Sequence, residues 1–172
     1  STRIAILMIF YQLITNEVGL EDIDMLTVYL MIPGQSSVSY HAIRTFAIFL
    51  QRCPDSADIY FQMPDNILSL LESILRDGLF ISKKESLCII LSLLQNSSME
   101  NKFALIQIPN LISSLIEMTC NLGEVQIHLI FTILQMILCV AQEFDCQDQI
   151  KEILLDENIM SVLDEISVQE VC

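Results

Sequence analysis

The sequence predicts an all-α chain, and three observations carry that reading. Glycine and proline number only four each in 172 residues, too few for a turn-rich β fold. Hydrophobic residues make up 53% of the chain, above the usual ~45–50%. Apolar residues recur at helical spacing, most plainly from Gly123 to Phe144. That stretch reads GEVQIHLIFTILQMILCVAQEF and holds no charged residue between Val125 and Ala141. Its length rules out a strand, and its all-round apolarity describes a helix covered on several sides. His128, Thr132, Gln126 and Gln135 interrupt it, so it falls short of the ~18–20 clean apolar residues of a membrane span.

The elements follow in order. Thr2 to Thr15 is a helix capped by Ser1 or Thr2, with Ile4, Leu7, Met8, Tyr11 and Ile14 on one stripe. Glu21 to Ile32 is a shorter helix with acids in its first turn, where the dipole favours them. Pro33-Gly34 stops it. Ser37 to Arg52 is a helix ending before Cys53-Pro54, and Asp55 to Gln62 is a short one. Pro64 opens a helix running to Arg76, and Asp77-Gly78 closes it. Ser82 with Glu85 three residues later reads as a capping box for a long helix to Gln95. Met99 to Ile106 is short, Pro109 opens a helix to Thr119, and the apolar helix 124–143 follows. Gln147 to Leu155 and Asn158 to Val168 complete the chain.

The order short, medium, long recurs, and so do the residues. Asn66-Ile67-Leu68-Ser69 returns as Asn110-Leu111-Ile112-Ser113, 44 residues on, and as Asn158-Ile159-Met160-Ser161. Phe46 and Leu50 correspond to Ile90 and Leu94, then to Ile133 and Ile137. A period near 40–47 with three helices per unit resembles the armadillo family, with HEAT repeats close behind. The resemblance covers nearly all of 1–172 as one segment. It divides into a leading helix (1–16), repeats at 17–53, 54–97 and 98–143, and a C-terminal partial repeat or cap (144–172). It implies a right-handed α-solenoid in which each unit buries its apolar faces only by stacking.

The resemblance also implies a binding face, since the third helix of each armadillo unit lines the concave groove. Those helices are 37–52, 82–95 and 124–143. Their least apolar stripes are His41, Thr45, Ile48 and Arg52; then Glu85, Ile89, Ser92 and Asn96; then His128, Thr132, Gln135 and Cys139. His41, Glu85 and His128 hold the same repeat position. Peptide-binding members carry an asparagine ladder at the positions of Ile48, Ser92 and Gln135. No asparagine stands there, and the chain has no tryptophan. An apolar helix or a short basic motif is therefore the expected ligand, rather than a nuclear localisation signal.

Net charge is −14, from 22 acids against 8 bases. Such a surface repels phosphate backbones and anionic lipid, so direct nucleic-acid or membrane partners are not expected. From Ala141 onward the chain has nine acids and one base, Lys151, which reads as a polar end cap or as a patch for a Lys/Arg-rich segment. The six cysteines form no C-x-x-C pair, and no tight Cys/His pairing supports a metal site. No glycine-rich phosphate loop or nucleophile constellation stands out, so no enzyme activity and no cofactor are expected.

The chain begins at Ser1 without the basic region of a signal peptide, and it reads as a segment of a longer intracellular protein, cytoplasmic or nuclear. Its expected role is a protein-interaction scaffold. Two other classes stay open: a regulatory or structural domain of a multidomain enzyme, and a homodimerisation module using the two-sided apolar first helix.

Overall fold

The computed structural model describes residues 36–62 and 67–156. The expected helices at 2–15, 21–32 and 158–168 lie outside the described residues, as does Pro64. Every regular element among the described residues is helical. They are α1 (Ser36–Arg52), a 3-10 helix (Pro54–Phe61), α2 (Ile67–Asp77), α3 (Phe80–Asn96), α4 (Met99–Ile106), α5 (Leu111–Thr119), α6 (Glu124–Glu143) and α7 (Gln147–Asp156).

Local chemistry sets the breaks between them. Proline excludes the preceding residue from the helical region, so Cys53 leaves α1 at φ −123°, ψ 64°. Pro54 then supplies a ready first residue for the 3-10 helix, where its missing N–H costs nothing. Where the spacing suggests a short helix over 55–62, the structure has this tighter 3-10 helix. Gly78 ends α2 with its N–H on the Ile74 carbonyl at 2.9 Å. A Cβ on Gly78 would collide with that same carbonyl oxygen.

Two helix starts differ from expectation. α3 begins at Phe80 with Leu79 as its extended cap residue, and no capping side chain takes part. Ser82 and Glu85 therefore form no capping box. Ser82 is already inside the first turn, its N–H on the Leu79 carbonyl, and it is buried. Leu79, Phe80 and Ile81 are apolar yet exposed, so the sequence carries no surface-helix signal there. Likewise α5 begins at Leu111. Pro109 lies one turn earlier, in a bend closed by the Leu111 N–H on the Ile108 carbonyl at 3.2 Å. Asn110 occupies the left-handed position after proline (φ 58°), as a type II turn requires.

The long helices α1 and α3 end at Arg52 and Asn96, 44 residues apart, and α3 and α6 begin at Phe80 and Glu124, again 44 apart. The helices α2 and α5 end at Asp77 and Thr119, 42 residues apart. Phe46, Leu50, Ile90, Leu94, Ile133 and Ile137, paired by sequence spacing alone, are all fully buried.

The chain divides into two compact units, Ser1–Asn101 and Lys102–Cys172, and the division falls within α4. In the first unit α1 packs along α3, the 3-10 helix rests on both, and α2 closes against α3. Phe46 of α1 and Tyr60 of the 3-10 helix meet edge to face, 4.7 Å between centroids. Asp58 ties the 3-10 helix to the residues that open α4. Its Oδ1 accepts the Ser98 N–H and the Asn101 side-chain amide, both at 2.8 Å. In the second unit α6 packs against α5 and α7, which also touch each other. Its core joins Leu111, Leu115 and Ile116 to Ile130, Ile133 and Ile137. Phe103 and Phe144 stack at 4.1 Å and hold the end of α6 against α4.

Candidate protein-docking face

The expected groove residues fall into three different situations. On α1, His41 and Arg52 are exposed and Ile48 is half-buried. Thr45 is buried, and its hydroxyl donates to the His41 carbonyl at 2.7 Å. On α3, Glu85 is half-buried and Asn96 exposed, but Ile89 and Ser92 between them are buried. The Asn96 amide turns back onto the Ser92 carbonyl at 2.9 Å. The α3 stripe is therefore interrupted, because α1, the 3-10 helix and α2 all close on this helix. Only its two ends reach solvent.

On α6 the whole stripe is open. His128, Thr132, Gln135 and Cys139 are all exposed. Val125, at 77% exposure, and Gln142 extend it in both directions. These two flanking residues were missed at the sequence level, although continuing the same three-four spacing would have found them. Thr132 donates to the His128 carbonyl at 2.9 Å. The His128 Nε2 lies 3.8 Å from the Glu124 carboxylate, an exposed contact of little energetic weight. His41 and Glu85 belong to the first unit and His128 to the second.

By length and composition alone, α6 is long and apolar enough to cross a membrane. It has 20 residues and an 18-residue window of mean hydropathy 1.8, of which 39% is buried. The polar breaks do not lower the average enough, since each is surrounded by isoleucine and leucine. The same measures fit a core helix that is covered on part of its circumference.

The remaining chemistry-bearing groups are dispersed. Among the described residues no three His, Cys, Asp or Glu side chains gather as a metal site. None of the described cysteines forms a disulfide. Cys120 and Cys139 are exposed, whereas Cys88 is half-buried in α3. Burial pushes the Cys88 thiol pKa up, and the neighbouring Glu85 charge adds to the effect. A thiol held protonated is a poor nucleophile. Arg76 is raised by its hydrogen bond and charge contact with Asp77, with Glu72 adding a smaller share.

Among the described residues, the geometry offers an accessible helix face on α6. No protein-family model matches this chain, no curated protein matches it, and no solved structure matches it.

Proposed function

We propose that this chain is a non-catalytic protein–protein interaction scaffold, a right-handed α-solenoid segment of armadillo/HEAT type within a larger intracellular assembly. The observation that carries the reading is the constant helix spacing. Helices α1 and α3 end 44 residues apart, α3 and α6 start 44 residues apart, and His41, Glu85 and His128, equivalent in the sequence repeat, are each at least partly accessible. A recurring unit with a recurring accessible position suits recognition of an elongated protein segment. The ligand in this reading is an apolar helix or a short basic motif, bound by burial of its anchors with acidic rims adding selectivity. The cytoplasm or nucleus suits a chain with six cysteines and no paired-cysteine motif.

The test is affinity capture with the chain as bait, beside an Arg52→Glu/His128→Glu variant shown to be folded. A specific protein lost in the variant is the expected result. Retention of every captured protein would move the site off these helices. Recovery of the bait alone, as a dimer, would favour the homodimerisation reading through the N-terminal helix.

A further inference from the structure

Helices of an acidic chain ordinarily turn charge outward, and α7 does so with Asp148, Lys151 and Glu152. The exposed side of α6 does not. From Val125 through His128, Thr132, Gln135 and Cys139 to Gln142, it carries no Asp, Glu, Lys or Arg. The steps are three, four, three, four and three residues, close to the spacing at which one helix seats on another. Half-buried Leu129 and Met136 follow one side of this seam, and Phe131 and Leu138 the other. The result is an uncharged strip with apolar shoulders, an uncommon thing to leave in water on a chain of net charge −14.

The two ends of the seam differ electrostatically. At the start, Glu124 meets the positive end of the helix dipole and the His128 ring. At the finish, Glu143 and Asp145 are exposed beside the negative end, and the last turn holds no basic residue. Ion pairs join Arg76 to Glu72 and Asp77, His128 to Glu124, and Lys151 to Asp148, and none of these takes in Glu143 or Asp145. An incoming cation would relieve that concentration of negative charge.

A second copy is a poor occupant. Parallel pairing would place Glu143 and Asp145 against themselves, and antiparallel pairing would place Glu143 against Glu124. Nucleic acid and anionic lipid meet the same repulsion. We propose that the α6 seam is the docking face for an amphipathic helix of a protein partner that carries Lys or Arg where it passes Glu143 and Asp145. This deepens the scaffold reading and rests on it.

Two synthetic peptides test it against the full chain. Both span about six helical turns and share one leucine seam. One ends in a lysine cluster, the other in a glutamate cluster. The lysine-ended peptide is expected to bind roughly tenfold more tightly at low salt, and about 1 M salt should erase the difference. Thr132→Arg with Gln135→Arg should weaken it at least ~10-fold at unchanged circular dichroism and melting temperature. Glu143→Lys with Asp145→Lys should reverse the preference. Equal affinity for the two peptides, or indifference to Thr132→Arg/Gln135→Arg, overturns the proposal. So does a concentration-dependent dimer that this variant abolishes, since a second copy would then occupy the seam. A protein captured by the wild-type chain and kept by the variant overturns the seam and leaves the scaffold standing. Failure of both peptides, with no captured protein, overturns both.

Discussion

Asp58 and Asn101, 43 residues apart in sequence, are joined by one 2.8 Å hydrogen bond, and the same carboxylate oxygen also accepts the Ser98 N–H. The pair fixes the 3-10 helix to the chain that leaves α3. Asp58→Ala would strand two part-buried donors, so a loss of about 1–3 kcal/mol is expected. Asn101→Ala removes one donor and leaves the Asp58 carboxylate accepting the Ser98 N–H, so it should cost less, about 1 kcal/mol. Chemical denaturation of the two single variants and the double variant checks this. Strict additivity would show that the contact contributes nothing to stability.

Phe46 and Tyr60 form the aromatic centre of the first unit, each fully buried. Phe49 adds a second edge contact to Tyr60 at 6.1 Å. Phe46→Ala should cost about 3–5 kcal/mol through cavity formation, and Phe46→Leu under about 1.5 kcal/mol. Thermal melts of both variants give the comparison, and similar losses would place the pair outside the core.

Cys88 gives a pH dependence with a definite sign. Burial holds its thiol protonated to higher pH in the folded chain than in the unfolded one. The unfolded state therefore loses its proton first as pH rises. Stability from this group is complete below the ordinary thiol pKa and is lost as pH climbs through the raised folded value. Urea midpoints from neutral to alkaline pH should fall more steeply for the wild-type chain than for Cys88→Ala. Iodoacetamide should modify the exposed Cys120 and Cys139 before Cys88.

Asn110 sits at φ 58°, where glycine has no steric penalty and a β-branched residue has a large one. Asn110→Gly is expected to leave stability within about 0.5 kcal/mol, and Asn110→Val to lower it by about 1–2 kcal/mol. At Gly78 the order is different, because even alanine would meet the Ile74 carbonyl. Gly78→Ala should therefore destabilise, or shorten α2 at its end. Melting curves and helical circular dichroism separate these cases.

Much of the helical order was legible because apolar spacing and breakers agreed. Met99–Ile106 and Glu124–Glu143 have the expected bounds, α1 ends at Arg52 as expected, and α7 starts at Gln147 as expected. Reading exposure was harder. A hydroxyl on a helix can satisfy itself on a carbonyl three or four residues back, as Thr45 does with His41, Ser86 with Lys83 and Thr119 with Ile116. Such residues are cheap to bury, so a polar stripe in sequence does not identify a wet face. Thr132 makes the same bond to His128 in the open. Only the packing of neighbouring helices separates Thr132 from Thr45, and that information is not local.

The even spacing of the helices also bears on how the chain reaches its fold. The Asp58 hydrogen bonds span 40 and 43 residues, and the packing of α1 on α3 joins helices whose ends are 44 apart. Forming the first unit therefore closes loops of about one period, not of the full 172 residues. A nascent chain would expose the partners for α1 and the 3-10 helix soon after they emerge, and could begin to collapse before α6 has been synthesised.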